Sequence, residues 1–223
     1  MEDVLRVTIL GTGTPVPLIE RMGCSILINT PRSNLLLDCG RGATQRIYQT
    51  DTPLKTVTTI FLTHLHYDHC IGIPDVWLTG WLNGREEPML VYGPPGTKDM
   101  MLNISEAYKE DIHIRRDLDE KLSPDGALIF GYDIPVNHIQ EFPDLRLESF
   151  AVNHNPVPDA RGYIATSKDR KIVISGDTRY MPKMAKIAKD ADILIHEVSA
   201  PNAIRQRSHD IGRDDSHTEA VID

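Results

Sequence analysis

With 223 residues, 40% of them hydrophobic and 25% charged, the chain is long enough to bury a core without staples and reads as one domain over residues 1–223. Its 32 acidic against 24 basic side chains leave a formal net charge of −8, which argues against broad attraction to nucleic acid and leaves room only for a local basic groove. Cys24, Cys39 and Cys70 cannot all pair and lack metal-ligand spacing, and no stretch nears the roughly 20 apolar residues that span a bilayer. The reading is therefore reduced thiols in a cytoplasmic protein with no membrane partner, unless a leader was removed ahead of this numbering.

Along the chain, short apolar runs end repeatedly in Gly, Asp, His or Pro. Val4 to Leu10 reads as a strand entering Gly11-Thr12-Gly13-Thr14-Pro15. Pro15 and Val16 break the third-glycine register of a dinucleotide loop, so a tight turn is expected there. Ser25 to Asn29 and Leu35 to Leu37, joined by Thr30-Pro31-Arg32-Ser33-Asn34, predict a hairpin. Further strands are expected at Val57 to Leu62, Met89 to Tyr92, Leu145 to Val152, Gly162 to Thr166, Lys171 to Ser175 and Asp192 to Ile195. Helices are expected at Thr97 to Glu110 and at Pro182 to Lys189, the second with its proline in the first turn. Trp77 and Trp81 share one helical face. Core or an oligomer contact is the commoner fate of such a pair, the wall of an aromatic pocket the rarer one. Hairpins followed by strands alternating with helices make a mixed α/β layered domain.

The chemistry is concentrated in Thr63-His64-Leu65-His66-Tyr67-Asp68-His69, which puts three histidines and an aspartate into six positions directly after an apolar run. Imidazole is the commonest metal ligand and carboxylate its usual companion, so a pair of metal ions is the natural occupant. His154, Asp177 and His196 also fall at or just past strand ends, where loops from different strands can converge.

Together, the His64–His69 motif, Val152-Asn153-His154, Ser175-Gly176-Asp177-Thr178-Arg179 and Leu194-Ile195-His196-Glu197 resemble the metallo-β-lactamase-fold hydrolases. Gly11-Thr12-Gly13-Thr14-Pro15, Leu37-Asp38-Cys39-Gly40 and Gly93-Pro94-Pro95-Gly96-Thr97 are most similar to the branch holding ribonuclease Z and the arylsulfatase-like phosphodiesterases. The resemblance covers essentially the whole chain and implies a four-layer αβ/βα sandwich. It implies that His64, His66 and His154 hold one metal, that Asp68 and His69 hold a second, and that Asp177 bridges them. The two divalent ions would be Zn²⁺ first, with Mn²⁺ or Fe²⁺ as alternatives. His66 stands where a diiron relative would carry a glutamate, which favours hydrolysis over redox work. Two dications roughly 3.5 to 4 Å apart acidify a bound water from about 15.7 toward about 7. The expected activity is cleavage of a phosphodiester or aryl sulfate ester by metal-bound hydroxide, with Asp68 orienting or deprotonating the nucleophile. His217 would protonate the leaving oxygen. Arg179 and Tyr180, with Arg161, are candidates for binding the ester's anionic oxygens, and Asp38 for supporting a ligand histidine; in His196-Glu197 the carboxylate either orients a catalytic imidazole or belongs to a hydrogen-bonded pair at a strand end.

Two departures shape the substrate. Ribonuclease Z enzymes often carry a basic, Gly-rich arm between the lone histidine and the bridging aspartate; here only Asn155 to Gly176 fills that interval. This favours a small anionic ester over structured RNA and leaves a transfer-RNA 3′-end endonuclease as the alternative. Ser216-x-x-Glu219 resembles a capping box at the start of a helix that stops at Asp223, ahead of the strand and final metal-binding histidine the resemblance implies. The expectation is a domain lacking its C-terminal end; a catalytically impaired binding member is the third reading. A homodimer is compatible with all three.

Overall fold

In a computed structural model the described residues are 5–212. The first sheet has six strands, β1 (Arg6–Gly11), β2 (Ser25–Asn29), β3 (Asn34–Leu37), β4 (Thr59–Phe61), β5 (Met89–Gly93) and β6 (Ile129–Asp133), in that spatial order. β1, β2 and β3 pair antiparallel and the rest parallel, so the sheet begins as a meander and ends as crossovers. The second sheet runs β11 (Ile193–Ile195), β10 (Arg170–Ile174), β9 (Arg161–Ser167), β8 (Arg146–Ala151), β7 (Ile139–Glu141). It is antiparallel except for the β10–β11 pair.

The strands that cross the centre are apolar on both faces, and their two-residue period divides them between cores. Ile26, Ile28, Leu35, Leu37 and Phe61 meet Leu147, Tyr163, Ala165, Ile172 and Ile174 between the sheets. Their neighbours Leu27, Leu36 and Ile60 point the other way, into a core shared with α1 (Ala43–Tyr48), α3 (Ile73–Leu82) and α4 (Thr97–Ala107). On the far side Val173 packs with Met184 of α6 (Met184–Ile187). Helix, sheet, sheet and helix are thus the four layers expected. Trp77 and Trp81 are buried in the first helical layer, where the Trp81 indole donates to Ser123 O at 2.8 Å. They are core, which removes the aromatic-pocket alternative.

Several elements differ from the sequence expectation. The helix expected over Thr97 to Glu110 is interrupted at Tyr108, and α5 (Lys109–His113) follows, leading into a π-helical turn at Ile114–Leu118. The segment begun by Pro182 supplies only the four residues of α6, framed by turns. The short helices α1, α2 (Tyr67–Cys70) and α7 (Pro201–Asp210) and the strands β6 and β7 are additional. No helix among the described residues is long and apolar enough to cross a membrane. The expected helix at Ser216 and the candidate His217 lie outside the described residues.

Candidate metal centre

β4 ends at Phe61, and the chain then turns through Leu62 and Thr63 into the histidine motif. This passage is held from three sides. Tyr163 Oη donates to Leu62 O at 2.7 Å, the Arg161 amide donates to Thr63 O at 3.1 Å, and the Thr63 amide donates to Asp38 Oδ1 at 2.8 Å. α2 then carries Asp68 and His69 back against the loop after β3. There the Cys39 amide donates to His69 O at 2.7 Å and the Gly72 amide to Cys39 O at 2.8 Å. Gly40 is required for that approach: a Cβ on it would lie 2.6 Å from Asp68 O and 2.6 Å from the Gly23 carbonyl carbon.

The second sheet delivers the other donors. His154 follows β8, and Asp177 follows β10 after Gly176, whose φ of 62° and close contact with Thr63 and Arg161 O suit glycine. The two loops are tied together: the Arg179 amide donates to Asn153 O at 2.7 Å and the Asn153 amide to Thr178 Oγ1 at 3.2 Å. The Thr178 amide is capped by the Glu197 carboxylate. Glu197 therefore orders the Asp177 loop, while His196 is exposed and bonds Glu197 O.

One ligand atom from each of His64, His66 and His154 lies within 4.8 Å of the other two, and the same holds for His64, His69 and Asp177. Ring centroids separate His64 from His69 by 4.1 Å, from His66 by 4.6 Å and from His154 by 4.7 Å. His64 Nε2 and His154 Nε2 both face His66 Nδ1, at 2.9 and 3.3 Å. One proton can bridge only one of those gaps, so three converging imidazole nitrogens fit a cation better than they fit each other. Asp68 is buried, with Oδ2 3.9 Å from His69 Nε2.

The charges are arranged to match. Burial, then the neighbouring His69, pushes His64 down to about 3, leaving its lone pair free at neutral pH. His154 is lowered chiefly by burial. Burial opposes the charge on His69, but Asp38 and Asp177 together outweigh it and hold the ring well above the ordinary imidazole range. Burial likewise pushes Asp177 up, and His69, His64 and His154 bring it down to about 2. Asp38 organises the set. Its Oδ2 accepts from His69 Nδ1 at 2.8 Å and from Thr63 Oγ1 at 2.8 Å, and Thr63 Oγ1 lies 2.9 Å from His64 Nδ1.

Of the residues singled out in the sequence, His64, His66, Asp68, His69, His154 and Asp177 are thus brought together, while Arg179 and Tyr180 lie just past Asp177 on the rim, Tyr180 exposed. Arg161 does not belong with them. It is fully buried, with its guanidinium on the carbonyls of Asp159, Ile134 and Pro135, so it staples loops and cannot meet an ester.

The family model described as anti-Pycsar protein Apyc1 matches residues 5–210. The chain belongs to the anti-Pycsar Apyc1 family. This Apyc1-family chain is 30% identical over 217 residues to ribonuclease Z of Mycobacterium avium, covering 93% of the chain and 76% of that relative. Human tRNase Z, short form, superposes with a TM-score of 0.68 at 23% identity over 96% of this chain and 86% of that one. The metallo-β-lactamase fold protein YhfI from Bacillus subtilis gives 0.66 at 17%, over 85% and 70%. The Apyc1-family chain has the metallo-β-lactamase fold and is a metal-dependent hydrolase acting on ester bonds.

Proposed function

We propose that this chain hydrolyses a small phosphodiester, with two divalent ions, zinc foremost, held by His64, His66 and His154 on one side and by Asp68 and His69 on the other, Asp177 lying between. The observation that carries this is the convergence of His64, His66 and His69 from the first sheet with His154 and Asp177 from the second. When bound, the ions supply an acidified water and a clamp for the ester's anionic oxygens. The chain's own residues do the rest. Neutral His64 and His154 present lone pairs, Asp38 fixes the ring of His69 through Nδ1, and Asp68 accepts the proton of the attacking water. Arg179 and Tyr180 on the rim receive the ester's outer oxygens. An aryl sulfate presents the same tetrahedral anion and belongs in the same test.

The transfer-RNA reading is favoured by the ribonuclease Z relatives. Against it, residues 155–176 form a loop and the tight β9–β10 hairpin, and the net charge is −8. The deciding experiment loads the purified full chain with Zn²⁺ or Mn²⁺ and compares a bis-aryl phosphodiester, a cyclic nucleotide, an aryl sulfate and a transfer-RNA precursor. Asp68→Ala and His154→Ala are run beside wild type. Turnover of the small diester, lost in both variants, is expected. Preferential cleavage of the precursor would give the transfer-RNA reading, and equal rates in wild type and both variants would overturn the metal mechanism.

A further inference from the structure

His69 has a second face. Its Nε2 looks toward Asp177 at 3.4 Å, while Nδ1 looks toward Asp38 and, behind it, the thiol of Cys24. Cys24 Sγ lies 4.0 Å from Asp38 Oδ2, and one ligand atom each from Cys24, Asp38 and His69 falls within 4.8 Å of the others. We infer that Cys24 Sγ, Asp38 Oδ2 and His69 Nδ1 form a third metal position that takes a thiophilic dication, on the opposite edge of the His69 ring from the hydrolytic pair.

The backbone fixes the sulfur in place. Cys24 O accepts from the Gly40 amide at 3.0 Å and from Ser25 Oγ at 2.7 Å, and Gly40 has no room for a side chain at the Cys24 amide. Asp38 is anchored independently, because Oδ1 is held by the Thr63 amide. Zinc–sulfur bonds of about 2.3 Å and zinc–nitrogen bonds of about 2.0 Å space tetrahedral donors roughly 3.3 to 3.6 Å apart. The present 2.8 Å and 4.0 Å separations bracket that spacing, so shifts of about half an ångström suffice. An ion here takes the place of the proton between Nδ1 and Oδ2 and displaces the thiol proton, so two protons leave for solvent. With Nε2 on the second ion, loss of the Nδ1 proton leaves His69 a bridging imidazolate, and the new thiolate and imidazolate charges balance the incoming dication beside the Asp38 carboxylate. Sulfur makes the position selective, because oxygen-preferring ions such as Mn²⁺ gain little from a thiolate.

The test is a titration of full-length, Mn²⁺-loaded protein with Cd²⁺, following the thiolate-to-cadmium charge-transfer band in the ultraviolet. The imidazole and carboxylate donors of the hydrolytic centre cannot produce that band. Expected is a band saturating at one equivalent in wild type and absent in Cys24→Ser, which keeps its Mn²⁺. It is retained in full by a Cys39→Ser, Cys70→Ser double variant, in which Cys24 is the sole thiol. No band in wild type, a band that survives in Cys24→Ser, or its loss from the double variant would overturn the assignment. Because the readout is spectroscopic, none of these outcomes depends on whether the small-diester reading holds.

Discussion

Replacing Asp38 with Asn changes one charge and almost no volume at the most heavily used carboxylate near the centre. Asp38 is buried with φ at 55°, a conformation Asn tolerates well, so backbone strain does not confuse the result. Asn can keep its oxygen on the Thr63 amide. Its NH₂ group then faces His69 Nδ1, which must become an acceptor, and the ring's proton moves to Nε2, the side that faces Asp177. The fold loses one charge-assisted hydrogen bond, about 1.5 to 3 kcal/mol, and the second ion loses a lone pair. Disturbing a partner of a ligand imidazole typically costs 10- to 100-fold in metal affinity, about 1.4 to 2.8 kcal/mol. Asp38→Ala is harsher. It orphans the Thr63 amide, the Thr63 hydroxyl and His69 Nδ1 at about 1 to 3 kcal/mol each, which approaches a typical domain's whole stability. Chelator competition followed ion by ion, beside urea melts of the metal-free protein, measures both quantities. Asp38→Asn holding its second ion as tightly as wild type would refute the tautomer argument.

Gly40→Ala should be among the most damaging single-methyl additions, because the atoms it meets are backbone on two sides, at Asp68 and Gly23. Urea unfolding of the metal-free chain should show a loss of at least about 2 kcal/mol, and a melt like wild type would contradict the packing. Acid should loosen the metal-free protein. His64 is held near 3 when folded and titrates near 6.5 when unfolded, so between those values the unfolded chain binds the extra proton and stability falls as pH drops. His69, raised in the fold, works the other way while its unfolded ring titrates, so it offsets part of the trend between pH 7 and about 5.5 and drops out below that, where both states are protonated. Unfolding free energies from urea melts at pH 7, 5.5 and 4.5 should fall by up to about 1.4 kcal/mol per pH unit from this group, and His64→Asn should flatten the slope.

β2 and β3 and the His64–His69 motif were legible because each is local: short apolar runs bounded by turn residues in one case, donor types packed into six positions in the other. β6 was missed because Gly131 interrupts it and Phe130 and Tyr132 are left exposed near the sheet edge. β7 was missed because Ile139–Glu141 is too short to show a period. α7 carries too few apolar residues to show one. Arg161 read as an anion binder because only tertiary structure brings the carbonyls of Ile134 and Pro135 over its guanidinium. Cys24, Asp38 and His69 have no motif spacing; their meeting depends on the clasp between the β3 loop and α2.

Because His64 and His66 hang from one sheet and His154 and Asp177 from the other, an ion among them would be a stitch between two halves of the sandwich. Occupied at 100 times its dissociation constant, such a site adds about 2.7 kcal/mol to the folded state. That margin separates a protein that persists from one that is cleared. A cell short of the metal would then lose the protein itself along with its turnover, so supply of the ion would set abundance as well as rate.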